Sequence, residues 1–107
     1  MTLLLDRLRA DLRVAMKERD RAAVTALRTA LAAVANAEAP PDDGSYRESH
    51  GRLVEHQRLV LTPADVTRIL REQVADRHDT IARIGERDQD HAVATLRAEI
   101  AVLERYV

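Results

Sequence analysis

The chain has 107 residues and a net charge of −1 from 17 basic and 18 acidic side chains, with no cysteine, tryptophan or phenylalanine. That length suits one domain, residues 1–107, and 27 Leu, Ile and Val residues are enough apolar branched material to fold it. The missing thiols exclude a disulfide scaffold, a thiolate zinc site and a cysteine nucleophile, and they fit a reducing cytoplasm. The balanced charge gives no bulk attraction to nucleic acid or anionic lipid. No apolar run approaches the roughly 18 residues a membrane helix needs, and Asp6 and Arg7 follow the opening leucines at once, so neither a span nor a secretory signal is expected.

Apolar residues recur at helical spacing, which predicts an all-α fold. The first helix runs from about Leu3 to Glu18, with Leu5, Leu8, Leu12, Ala15 and Met16 on its buried face and Arg9, Arg13 and Lys17 along its other side. Asp20 is a natural N-cap for a second helix reaching about Glu38, whose stripe is Val24, Leu27, Leu31 and Val34 among many alanines. Pro40, Pro41, Asp42, Asp43 and Gly44 stop it. Residues 46–61 fit neither period and read as a partly ordered loop. Thr62, Pro63 and Asp65 start a third helix as N-cap, first-turn proline and acidic N3 residue, and Gly85 ends it. Its stripe is Val66, Ile69, Leu70, Val74, Ile81 and Ile84. Residues 86–90 offer caps for a fourth helix with Val93, Leu96, Ile100 and Leu103 inward. Two short-linked hairpins and a long central loop predict an antiparallel four-helix bundle.

Some polar residues fall where the stripes should be apolar. Arg77 projects within about 20° of Val66 and Ile84, and Gln73 shares its face. Glu38 projects about 20° from Leu27, and Glu99 about 60° from Leu96. A buried guanidinium needs a carboxylate, so an inter-helix ion pair from Arg77 to Glu99 or Glu38 is expected. Such a pair fits two roles: fixing helix register, or presenting Arg77 as an anion contact in a cleft.

Motifs for chemistry are missing. Gly44, Gly51 and Gly85 are too far apart for a phosphate loop, and His50, His56, His78 and His91 make no i, i+4 pair, so no cofactor or metal site is expected. The run from Asp88 to His91 reads as a solvated turn. Ser45 and Ser49 near His50 lack an oxyanion hole and an orienting acid. Carboxylates alternate with arginines at pair spacing, as in Arg68 with Glu72 and Asp79 with Arg83, so no acid–base dyad and no catalytic residue emerge. Arg9, Arg13 and Lys17, with Arg19 and Arg21 at the next corner, form a candidate RNA track, against which Asp6, Asp11, Glu18 and Asp20 interleave.

The strings Ala15-Met16-Lys17-Glu18-Arg19-Asp20, Ala26-Leu27-Arg28 and Asn36-Ala37-Glu38 resemble the YqeY family, also called GatB/YqeY domain proteins. Leu61-Thr62, Glu72-Gln73-Val74 with Arg77, Gly85 with Arg87-Asp88, and Glu99 to Leu103 with Tyr106 agree. The resemblance implies an amino-terminal helical domain, without the following domain that is similar to the tail of GatB, a subunit of tRNA-dependent amidotransferase. It marks Arg28, Asn36, Glu38, Arg77 and Glu99 as candidate structural or binding positions. It further implies a non-catalytic accessory module that binds protein or tRNA. The alternatives are a carbon–nitrogen ligase component using glutamine as amide donor, and a structural homo-oligomer, such as a homodimer completed by Leu59, Val60 and Leu61.

Overall fold

The computed structural model describes residues 3–39, 60–87 and 91–107. They form four α-helices: α1 over Leu3–Glu18, α2 over Arg21–Glu38, α3 over Pro63–Ile84 and α4 over Ala92–Glu104. A short 3-10 turn at Gly85–Arg87 follows α3. No strand occurs among the described residues.

The helix ends follow from local chemistry. At the end of α1, Arg19 takes a left-handed φ of 57°, its N–H donates to the Met16 carbonyl at 3.3 Å, and the Asp20 N–H reaches back to Ala15 at 3.0 Å. That is a Schellman closure made with an arginine where glycine would be unstrained. Asp20 then caps α2, its carboxylate accepting from the Ala23 N–H at 3.1 Å. At α3, the Thr62 hydroxyl accepts from the Asp65 N–H at 3.1 Å while the Asp65 carboxylate accepts from the Thr62 N–H at 2.9 Å, closing the reciprocal cap that the sequence predicts. Helix α4 starts differently from expectation. Its N-cap position is held by His91, in a left-handed conformation with φ 60° and no side-chain cap bond, and the His91 carbonyl accepts from the Thr95 N–H at 3.1 Å.

The bundle is antiparallel, and α2 is its centre. It packs against α1 on one side and α4 on the other; α3 lies against α4 and closes back lightly on α2 and α1. Leu8, Leu27, Leu70, Leu103 and Val66 are the largest fully buried side chains. On α2 the buried contacts come as much from Ala23, Ala26 and Ala30 as from Leu27 and Val34, so neighbouring backbones approach closely there. One expectation fails at the edge of a stripe. Met16 is 48% exposed rather than buried, because α1 is covered mainly by one neighbour and the seam it needs is narrow. Of the tripeptide offered as a dimer surface, Val60 is 92% exposed as that reading needs, Leu61 packs against the core instead, and Leu59 lies outside the described residues. The expected loop over residues 46–59, the serines and histidines within it, and the turn at 88–90 also lie outside them.

Candidate functional site

Arg77 and Glu99 are the buried charged residues of the described fold, at 8% and 7% exposure. Arg77 lies seven residues before the end of α3 and Glu99 seven residues after the start of α4, so an antiparallel hairpin brings them level. The Arg77 Nε–H donates to Glu99 Oε1 at 2.9 Å. One turn back, Gln73 takes both bonds from Nη1: its carbonyl accepts at 3.1 Å and its side-chain Oε1 at 3.2 Å. Nη2 donates to the Thr29 hydroxyl of α2 at 2.8 Å, and that hydroxyl in turn donates to the Ala26 carbonyl at 3.0 Å. The cluster therefore ties three helices through one guanidinium.

Of the two carboxylates expected for Arg77, the structure selects Glu99. Glu38 sits half-buried at the far end of α2 and is not the partner. Arg28 and Asn36 are exposed on α2, so the five candidate positions do not converge: only Arg77 and Glu99 meet. Thr29 was not anticipated. A threonine in a helix carries no sequence signal for an inter-helix role, since its hydroxyl commonly bonds its own preceding turn.

A groove of about 490 Å³ runs beside the cluster between α2 and α4, walled by Ala22, Thr25, Ala94, Thr95 and Ala98, with Arg21 at its rim and Glu99 at its inner side. Its walls are methyl groups and hydroxyls, a surface that can seat a chain but holds no nucleophile beside a base. No buried side-chain nitrogen or oxygen among the described residues lacks a partner, and no group of three or more metal-binding side chains occurs among them. The guanidinium is thus committed to neighbours within the fold.

A second polar tie joins the end of the chain to α1. The Tyr106 hydroxyl donates to the Asp11 carboxylate, and the Arg7 guanidinium lies 5.0 Å from the centre of the Tyr106 ring. Burial, the bond to Asp11 and the Asp11 charge push the Tyr106 pKa up to about 12. The candidate RNA track is exposed throughout: Arg9, Arg13 and Lys17 all face solvent on α1, and Arg9 lies 3.8 Å from the Asp6 carboxylate in an exposed pair. Acidic and basic groups therefore interleave along it, as the sequence suggests.

No described helix is long and apolar enough to cross a membrane. Searches of curated proteins and of solved structures returned no match. A family model described as Yqey-like protein matches residues 5–107. That match takes in all four helices, the Arg77 cluster and the Tyr106 tie, and the chain belongs to the Yqey-like family.

Proposed function

We propose that the chain is a non-catalytic helical accessory module that acts by binding, associated with tRNA-dependent amidotransferase and the amidation of Glu-tRNA(Gln) or Asp-tRNA(Asn). The observation that carries the non-catalytic part is the commitment of Arg77. The described fold's buried cation spends its donors on Glu99, Gln73 and Thr29, which leaves a structural hub rather than a reacting centre. Membership of the Yqey-like family supports the link to amidation. The groove between α2 and α4 is the surface on which such a module would meet its partner.

The test is direct. The purified chain is incubated with glutamine, ATP and Glu-tRNA(Gln), and ammonia and Gln-tRNA(Gln) are measured. No turnover is expected from the chain alone, while added amidotransferase restores amidation and co-purifies with it. Ammonia release by the unaided chain would overturn the proposal and favour the ligase reading.

A further inference from the structure

An amphipathic helix packed on one neighbour should turn a polar face to solvent, whereas the outer face of α1 mixes charged side chains with large apolar ones. On a wheel of about 100° per residue, Leu3, Asp6, Ala10, Arg13, Val14 and Lys17 all lie within about 55° of the direction opposite the buried Leu5, Leu8 and Ala15. Leu3 is 74% exposed and Val14 50% exposed, although both are large apolar side chains. Helix α1 packs on α2 and only lightly on α3, so no described element covers this face. A shallow depression opens on it between Ala10, Arg13, Val14 and Lys17.

The charges on the face have an order. Asp6 stands near the amino end, and Arg13 and Lys17 stand near the carboxyl end. Among the described residues neither base is in an ion pair, and Asp6 is held only by Arg9 at 3.8 Å, with side chains 55% and 67% exposed, a pair that contributes little. Acid at one end and base at the other make the face complementary to itself turned round. In an antiparallel helix pair, like flanks meet. Asp6 and Arg13 share one flank of Ala10, and Leu3 and Val14 share the other. With the two-fold axis near Ala10, Arg13 of one copy stands about one residue, or 1.5 Å along the axis, from Asp6 of the other. The same symmetry repeats that ion pair. Leu3 then falls within about one turn of the partner copy's Val14, over its depression.

We infer that the outer face of α1 is a two-fold interface on which a second copy of this chain docks, antiparallel, through reciprocal pairing of Asp6 with Arg13 and insertion of Leu3 beside Val14. A helix of 16 residues is about 24 Å long, which places the interface at the small end of specific ones.

Sedimentation equilibrium from about 10 μM to about 1 mM tests this on the intact chain. The expected result is a reversible dimer, and Asp6→Arg or Arg13→Asp alone weakens it by roughly tenfold or more. Each single variant places like charges opposite each other, whereas an equal mixture of the two restores both ion pairs in a heterodimer. The mixture is therefore expected to associate as tightly as the native chain, within about threefold. Because the chain has no cysteine, Ala10→Cys provides a second readout: oxidation in native buffer should cross-link two copies at the dyad, and the same oxidation carried out in denaturant should cross-link far fewer. Circular dichroism verifies that each variant remains helical. A chain that stays monomeric at about 1 mM overturns the inference and leaves the face to a foreign partner. It is equally overturned by a dimer that ignores both charge reversals, or by a mixture no tighter than its components.

Discussion

Removing one side of the Arg77–Glu99 pair separates an architectural role from a ligand-binding one. Both side chains are about nine-tenths buried, and the Nε–Oε1 distance is 2.9 Å. Glu99→Leu leaves the guanidinium inside the bundle with only the Thr29 hydroxyl and the Gln73 oxygens, which are neutral acceptors. Losing one partner of a buried pair costs about 3–5 kcal/mol. A chain of this size has a total stability on the order of 5–15 kcal/mol, so the loss is large. Residual exposure of Arg77 lets water relieve part of it, which favours the lower end and a drop in Tm of about 15 °C. Arg77→Met strands the carboxylate instead and is expected to cost a similar amount. The double variant strands neither charge: Thr29 keeps its bond to Ala26, and Gln73 is only half-buried. It should therefore lie within about 1 kcal/mol of the native chain. Urea unfolding followed by circular dichroism gives all three values. A Glu99→Leu cost under about 1 kcal/mol, or a double variant as unstable as the sum of the singles, would refute the assignment of Arg77 as a buried structural hub.

Tyr106, with its pKa pushed up to about 12, binds its proton more tightly in the fold than in the unfolded chain, so its contribution is complete below about pH 10 and is lost between there and pH 12. Ultraviolet absorbance titration of a Tyr46→Phe variant should show this late ionisation, and Tyr106→Phe should remove the alkaline step while costing about 1 kcal/mol at neutral pH. Asp65 behaves in the opposite sense: the Thr62 N–H and hydroxyl, with Arg68 beside it, hold its carboxyl below its usual value of 3.8. Its support for α3 is present above that pH and fades as the solution is acidified through the lower folded value, which NMR titration of the carboxyl carbon can follow. Arg19→Gly relieves a left-handed φ of 57° and should stabilise by about 0.5–1 kcal/mol, read as a raised urea midpoint. Gly85→Ala should destabilise by about 1–2 kcal/mol, although its Cβ would meet nothing within 4 Å, because the φ of 55° is itself strained for an L residue.

The helix bounds were legible where capping chemistry is local. Asp20, and Thr62 with Pro63 and Asp65, mark starts within a few residues of the chain, and the apolar period runs uninterrupted between them. Glu99 was legible only as one of two partners for Arg77, because a wheel projection gives direction around a helix but not height between helices. The hairpin geometry supplies that height and excludes Glu38. The contacts of Thr29 to Arg77 and of Tyr106 to Asp11 span 48 and 95 residues. No periodicity reports such separations, and a hydroxyl on a partly exposed helix position looks like surface. Met16 was misread because a wheel assumes a broad covered face, whereas α1 has one close neighbour. The start of α4 was misread because His91 holds the cap position through its backbone alone.

The two long-range ties explain how an alanine-rich interface acquires one register. Methyl groups along α2 let the neighbouring backbones approach closely, but small knobs resist sliding weakly compared with leucine or isoleucine in deep holes. Directional contacts must then carry the specificity that shape leaves open. The Arg77 cluster binds the second hairpin to α2 at mid-height, and the Tyr106 hydroxyl binds the end of that hairpin to α1. Two ties at different heights oppose rotation of one hairpin on the other as well as translation, which a single tie would permit. Slippage by one helical turn would move Thr29 about 5.4 Å from the guanidinium and strand a buried charge, so the alternative register is penalised even though its apolar burial would be similar.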